Sequence, residues 1–270
     1  MRPKYVDELI YDSGQARLTI SEINMTLEES RLLGFGYLLT VGEDTRGQHY
    51  WGGENHLKGG ECPNCQKPLF RHMTIDCTDS RLQSQLENLA CSQLPLLYCM
   101  RCELCFSDFS YRLIDDAEVE IVVSRDGGNC PDWGRLMGCD EFPFRHAMLT
   151  AVPKRLDELW QRLHLGRLLN ASEMREVGVL TNRYRLFDNQ TVGALMPVSV
   201  LGGLPYLLEM EEGDTCSYCE MLGIPHFPLS LLAVISNAPN EGLLVTVDDW
   251  YQILFFICFQ CGTIKVRNRV

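Results

Sequence analysis

The sequence predicts an α+β chain dominated by β-structure, built as two tandem copies of one module, each clipped by a four-cysteine site of zinc-ribbon type. Three observations predict it. The run Leu94-Pro-Leu-Leu-Tyr-Cys99-Met-Arg-Cys102 returns near the end of the chain as Ile253-Leu-Phe-Phe-Ile-Cys258-Phe-Gln-Cys261, and each apolar, β-prone stretch delivers a Cys-x-x-Cys pair. Each run also has an earlier partner pair, Cys62-Pro-Asn-Cys65 and Cys216-Ser-Tyr-Cys219. The landmarks around these pairs recur in one order. Pro3-Lys-Tyr-Val-Asp-Glu-Leu9 returns as Pro153-Lys-Arg-Leu-Asp-Glu-Leu159, and Gly52-Gly53 as Gly202-Gly203, both displaced by 150. The first knuckle is displaced by 154, Pro68-Leu69 onto Pro228-Leu229 by 160, and the second knuckle by 159. Drifts of that size are changes in loop length, so the shared order points to duplication. The expected division is a first module over 1–125, an irregular connection over 126–150 and a second module over 151–270.

In the first module, Leu18 to Ile23 alternates weakly, and Leu32 to Val41 is an apolar run interrupted by Gly34 and Gly36, as an edge or bulged strand would be. Asp44-Thr-Arg-Gly47 is turn chemistry, and Tyr50-Trp51-Gly52-Gly53 leads towards Cys62. Between the knuckles, Asp79 to Ala90 puts Leu82, Leu86 and Leu89 on one helical face, with Asp79 or Ser80 as cap. Phe109, Tyr111 and Leu113 alternate with polar residues, as in a half-buried strand, and Glu118 to Ser124 reads as another. Asp126-Gly-Gly-Asn129, Pro131, Gly134, Gly138 and Pro143 make the connection irregular.

The second module opens on a helix. Pro153 fits its first turn, and Leu156, Leu159, Trp160, Leu163 and Leu168 form an apolar stripe opposite Lys154, Asp157, Glu158 and Arg162. Tyr184 to Phe187, Val198 to Leu201, Leu229 to Ile235, Leu243 to Val247 and Thr263 to Val266 are strand candidates.

A chain of 270 residues, 46% of them hydrophobic, can bury a large core, so metal acts as a local clip rather than the sole source of stability. The formal charge is −12, and binding two divalent ions through eight thiolates would make it −16. That sign argues against nucleic acid and favours a basic protein partner. The polar start Met1-Arg-Pro-Lys-Tyr-Val-Asp-Glu8 has no signal-peptide pattern, and the apolar run Ile253 to Phe259 falls far short of the roughly 20 residues that span a bilayer. The expectation is no membrane association and a reducing, cytoplasmic location.

Thirteen cysteines, an odd number in a long chain, do not form a small disulfide scaffold, and eight of them sit in tight pairs. Two cysteines three positions apart on a turn can aim both sulfurs at one ion, and the fold must bring in a second pair to close a tetrahedral shell. The intervals are 33 residues between Cys65 and Cys99 and 38 between Cys219 and Cys258. The candidate ligands are Cys62, Cys65, Cys99 and Cys102 for one ion and Cys216, Cys219, Cys258 and Cys261 for the other. Four sulfurs favour zinc over iron, so two structural zinc ions are expected. Cys105 is an alternative to Cys99 by spacing, but the repeat maps Cys99 onto Cys258 and leaves Cys105 without a counterpart. Cys77, Cys91, Cys130 and Cys139 read as core residues.

Val200-Leu-Gly-Gly-Leu-Pro205, then Cys-x-x-Cys, then Pro-Leu, then an apolar strand ending in Cys-x-x-Cys, resembles the YwqG-like bacterial family of unknown function, the DUF1963 group, in its cysteine-bearing members. The same order is distantly similar to the programmed-cell-death-2 ribosome-maturation proteins of eukaryotes. The resemblance covers residues 198 to 266 best and 50 to 113 more faintly, where Gly52-Gly53 is followed by Glu-Asn rather than x-Pro. It implies a β-rich fold without an established activity, and the eukaryotic relatives imply a chaperone for a basic ribosomal protein.

A four-cysteine site leaves no coordination position for water or substrate, so no catalytic residue is expected. The histidines (His49, His56, His72, His146, His164 and His226) form no HExxH or His-x-Glu pattern, and each reads as a surface or satisfied residue. His72 and His226, near knuckles, are candidate donors to the ligands. Cys130, Cys139 and His146 would make a partial third site. The expected function is therefore a zinc-binding, non-enzymatic interaction module, with the glycine loops at Gly52-Gly53 and Gly202-Gly203 as contact surface. The alternatives are a toxin-neutralising immunity protein and, less favoured, a thiol oxidoreductase.

Overall fold

The computed structural model describes residues 36–43, 45–86, 89, 91–99, 101, 109–124, 142–164, 167–183, 199–202, 215–224, 229–236 and 252–269. The strand candidates at 18–23, 184–187 and 243–247 lie outside them.

Among the described residues the fold is β-dominated. Its strands are β1 (Tyr37–Val41), β2 (Tyr50–Trp51), β3 (Phe70–Asp76), β4 (Gln93–Tyr98), β5 (Phe109–Leu113), β6 (Val119–Ser124), β7 (Arg145–Ala151), β8 (Val200–Leu201), β9 (Ser230–Ser236), β10 (Gln252–Ile257) and β11 (Thr263–Arg269). They form an 11-stranded sheet in the order β4-β3-β2-β7-β1-β8-β9-β10-β11-β5-β6, with every strand pair antiparallel. The helices are α1 (Gln83–Leu86), α2 (Lys154–His164), α3 (Ala171–Arg183) and α4 (Ser217–Met221). None is long and apolar enough to cross a membrane.

Two parts of this sheet have the same register. In β3–β4, Phe70 faces Tyr98, Arg71 faces Leu97, His72 is skipped, and Met73, Thr74, Ile75 and Asp76 face Leu96, Pro95, Leu94 and Gln93. In β9–β10, Ser230 faces Ile257, Leu231 faces Phe256, Leu232 is skipped, and Ala233, Val234, Ile235 and Ser236 face Phe255, Leu254, Ile253 and Gln252. The displacement is 160 on one strand and 159 on the other, and the β-bulge falls at the same place. The short strands agree too: Trp51 faces Met73 as Leu201 faces Ala233. Gly52 N–H donates to His72 C=O at 3.1 Å, and Gly202 N–H to Leu232 C=O at 2.7 Å. A bulge re-aims its strand at a fixed point, and here it directs both strands past a glycine turn.

The centre of the sheet joins these parts. β7 pairs with β2 through Arg145 and His146 and with β1 through Ala147 to Ala151, while β1 pairs with β8. The stretch read as an irregular connection thus ends in a central strand, seven residues long, whose last residue, Ala151, falls in the expected second module. Proline and glycine punctuate the sequence before it, but Ala147 and Leu149 alternate inward as a strand requires.

The two ends of the sheet are tied together by side chains. Tyr111 of β5 donates its hydroxyl to Pro95 C=O at 2.7 Å and accepts from Leu97 N–H at 3.1 Å, so it occupies backbone groups of the terminal strand β4. Asp116, in the β5–β6 turn, accepts from the backbone of Ser92 and Gln93. An unpaired strand edge invites association, and here the protein's own residues cover part of it.

One core cluster spans both parts, from Trp51, Met73 and Leu96 through Leu149 and Leu201 to Phe255 and Ile264. A second lies on the opposite face of β8–β10 and includes Leu38, Leu156, Val234, Leu254, Phe256, Cys216, Cys219 and Cys258. Because both faces of β10 are covered, Ile253 to Ile257 is an uninterrupted apolar run.

The helices depart from expectation. The helix read over 79–90 is described as a single turn, α1; Leu82 and Leu86 are buried as expected, and Asp79 Oδ1 accepts from Arg81 N–H at 2.8 Å. In α2, Leu156 and Leu159 are buried, but so is Asp157, and Leu168 lies beyond the helix, 93% exposed. The side chains of Trp160 and Leu163 lie outside the described residues. The helix α3 was not foreseen, although Asn170-Ala-Ser-Glu173 is a capping box: Asn170 Oδ1 accepts from Ser172 and Glu173 N–H, and Glu173 reaches back to Asn170 N–H.

Candidate metal centres

The second cysteine cluster is fully described. Cys216 is the extended N-cap residue of α4, with φ −76° and ψ 108°, and one helical turn then carries Cys219 round to the same side. Its partners sit on the β10–β11 turn, where Cys258 N–H donates to Thr263 C=O at 2.9 Å and Gly262 N–H to Cys258 C=O at 2.8 Å. Cys216 and Cys261 sulfurs are 3.4 Å apart, Cys219 and Cys258 3.7 Å, and all four lie within 4.8 Å of one another. A tetrahedral ion with bonds of about 2.3 Å requires sulfurs about 3.8 Å apart. The spacing matches that and is far beyond the roughly 2.05 Å of a disulfide. Cys216, Cys219 and Cys258 are buried, and Cys261 is partly exposed.

The first cluster joins Cys62, Cys65 and Cys99, with Cys65 and Cys99 sulfurs 3.8 Å apart. Cys62 N–H donates to Lys67 C=O at 2.7 Å and Gln66 N–H to Cys62 C=O at 2.9 Å, a tight turn that Gln66 completes at φ +58°. Cys99 is therefore in the cluster, as the repeat indicates. Cys102, the expected fourth ligand, lies outside the described residues, as does Cys105.

Both clusters give their sulfurs backbone donors. Arg101 N–H lies 3.4 Å from Cys99 Sγ, and in the second cluster the amides of Cys261 and Gln260 donate to Cys258. Burial pushes the Cys258 thiol up to about 11, against the pull of those amides, and pushes Cys219 well above the ordinary thiol range. Burial also opposes ionisation of Cys261, but hydrogen bonds from Thr263 outweigh it and lower that thiol. Without an ion, Cys219 and Cys258 hold their protons at neutral pH; an incoming ion must displace them, so metal affinity falls as the solution becomes more acidic.

The remaining candidates form no third metal-ligating group among the described residues, although the Cys77 and Cys91 side chains hydrogen-bond each other. Cys77 is buried and Cys91 packs beside the core; Cys130 and Cys139 lie outside the described residues, so the partial third site is not described, and His146 is exposed. His49 is buried and satisfied. Asp76 N–H donates to its Nδ1 at 3.1 Å, so Nε2 carries the proton and donates to Asp79 Oδ2 at 2.8 Å. His56 is exposed; His226 and the His164 side chain lie outside the described residues. His72 breaks the expectation of a satisfied histidine. It is buried against Phe142, 4.7 Å between rings; among the described residues its ring nitrogens have no well-formed hydrogen bond, the Tyr98 backbone being their polar neighbour, and it donates to no described cysteine.

The turn at Gly52 is packed rather than presented. Gly52 has φ +62°, and a Cβ there would lie 2.4 Å from Pro143 C=O. Gly53 N–H is spent on Phe142 C=O at 2.8 Å. Gly203 lies outside the described residues.

The chain matches no family model, and no curated protein matches it.

Proposed function

We propose that the chain is a zinc-binding, non-enzymatic interaction module, made of two tandem copies of one β-rich unit, that holds a basic protein partner in the manner of a chaperone or adaptor. The observation carrying this reading is the second cluster: four sulfurs at tetrahedral spacing, three of them buried, leave an ion no position at which to activate water or substrate. Such an ion fixes loops. Duplication is supported by the shared register, bulge and glycine turn of β2–β3–β4 and β8–β9–β10. Sulfur-only ligand sets favour zinc. The thiol oxidoreductase reading is weakened because Cys216 and Cys219, although at the start of a helix, are drawn into a cluster with two further thiols.

The basic partner is inferred from the charge of −12. The test is capture from native cytoplasm followed by mass spectrometry. One stoichiometric basic protein, a ribosomal protein in the chaperone case, is the expected result. A chain that returns alone, and whose purified form turns over a small molecule in a metal-dependent assay, contradicts it.

A further inference from the structure

A cleft of about 800 Å³ opens where the two knuckles of the first cluster lead out, lined by Gly53 to His56, Lys67 to Arg71, Arg101 and Pro143. Its charge is opposite to that of the chain. Among the described lining residues Lys67, Arg71 and Arg101 are permanent cations and Glu54 is the one carboxylate, 2.8 Å from His56. Arg101 stacks its guanidinium 4.0 Å over the Phe70 ring and donates to Pro68 C=O, which holds it at the wall. Arg71 is half-buried, and its Nε is buried without a hydrogen-bond partner. A buried N–H without an acceptor costs free energy that an incoming acceptor would recover. The residues at the matching register in the second part are Leu231 and Gln260, so the cations are not part of the shared framework.

We propose that this cleft binds an organic carboxylate, its charged end on Arg71 and its apolar part over the exposed Pro68 and Pro143, with an acidic peptide segment as the occupant. The guanidinium fork matches a carboxylate in two hydrogen bonds, and the volume is that of a sizeable organic ligand, far larger than one inorganic anion needs. The proposal does not rest on the basic-partner reading, because it concerns a local surface of opposite sign.

The experiment is fluorescence polarisation of the full chain with a fluorescein-labelled hexapeptide of glutamate and leucine, at fixed salt, with unlabelled citrate as a second probe. The peptide should bind, Arg71→Gln should weaken it roughly tenfold or more, and Arg167→Gln, at an exposed site outside the cleft, should leave it unchanged. Metal content read on the same samples shows whether each variant is folded. If Arg71→Gln does not fold, the exposed Lys67→Gln takes its place, with a loss of roughly threefold expected from a solvent-screened charge. Binding of citrate alone with the same dependence on Arg71, or on Lys67 where it takes that place, supports the carboxylate site and moves the source to a free small acid. Binding of neither probe, or equal binding by the wild type and the cleft variant, overturns the proposal.

Discussion

The strands β2–β3–β4 and β8–β9–β10 share register, bulge and glycine turn, yet they differ in almost everything attached to them. At the bulge, one has His72 and the other Leu232; after the second knuckle's first cysteine, one has Arg101 and the other Gln260. The strand that follows also diverges. In the second part β11 returns to pair with β10, whereas in the first β5 pairs with β11 and reaches β4 through side chains, by the Tyr111 hydroxyl and the stacking of Phe109 on Tyr98. What recurs is the backbone geometry that brings two cysteine turns together. What varies is the surface around it, which can diverge without disturbing the cysteine clusters.

The largest test of this comparison is to break one clip. Cys258→Ser should lower Tm on the order of 10 °C, and hydrogen exchange should show protection lost in β9–β11 while β3–β4 stays protected. Loss spread evenly over both parts would show that the clusters are not local.

Asp79 provides the next largest effect. Burial alone would raise its carboxyl, but hydrogen bonds from Arg81 and His49 outweigh that and hold it at about 2. Asp79→Asn leaves Arg81 and His49 without their anion and should cost about 3 kcal/mol in urea unfolding at pH 7. The wild-type contribution is fully present above the ordinary carboxylate value of 3.8 and is lost as pH falls towards 2. An identical acid arm in the variant would contradict this assignment.

The bulge offers a sharper and smaller contrast. Burial pushes His72 down to about 3 from 6.5, so the folded chain binds fewer protons than the unfolded one between those values. Stability should therefore fall as pH drops through that window, by up to about 1.4 kcal/mol per pH unit, and His72→Leu should remove this slope. At pH 7 the variant, carrying the residue found at Leu232, should lie within about 1 kcal/mol of wild type. A loss of several kcal/mol at pH 7 would mean that the imidazole has a role Leu232 lacks.

The smallest effect is expected at Cys105. Cys99→Ser should remove one metal equivalent, and Cys105→Ser should leave both, because the register shared by β3–β4 and β9–β10 and the 3.8 Å approach to Cys65 both select Cys99. The reverse pattern would show that the repeat misassigns this ligand.

The cysteine pairs were legible because ligand spacing is local: a Cys-x-x-Cys turn is written in four residues. β4 and β10 were legible for a related reason, since strands buried on both faces are apolar throughout. β7 was not, because its alternation of Ala147 and Leu149 is weak beside Pro143 and Gly138, and its place is set by pairing with strands far away in sequence. The cleft was not legible either. Lys67, Arg71 and Arg101 are separate cations until two knuckles fold them onto one wall. Gly52 looked exposed in a polar loop, and its packing against Phe142 and Pro143 accounts for it instead.

Metal stoichiometry tests the central claim most directly. Elemental analysis of protein purified without added metal should approach two zinc equivalents per chain, with Cys62→Ser and Cys216→Ser each retaining one. A folded wild-type chain with reduced thiols and metal content near zero would contradict the account.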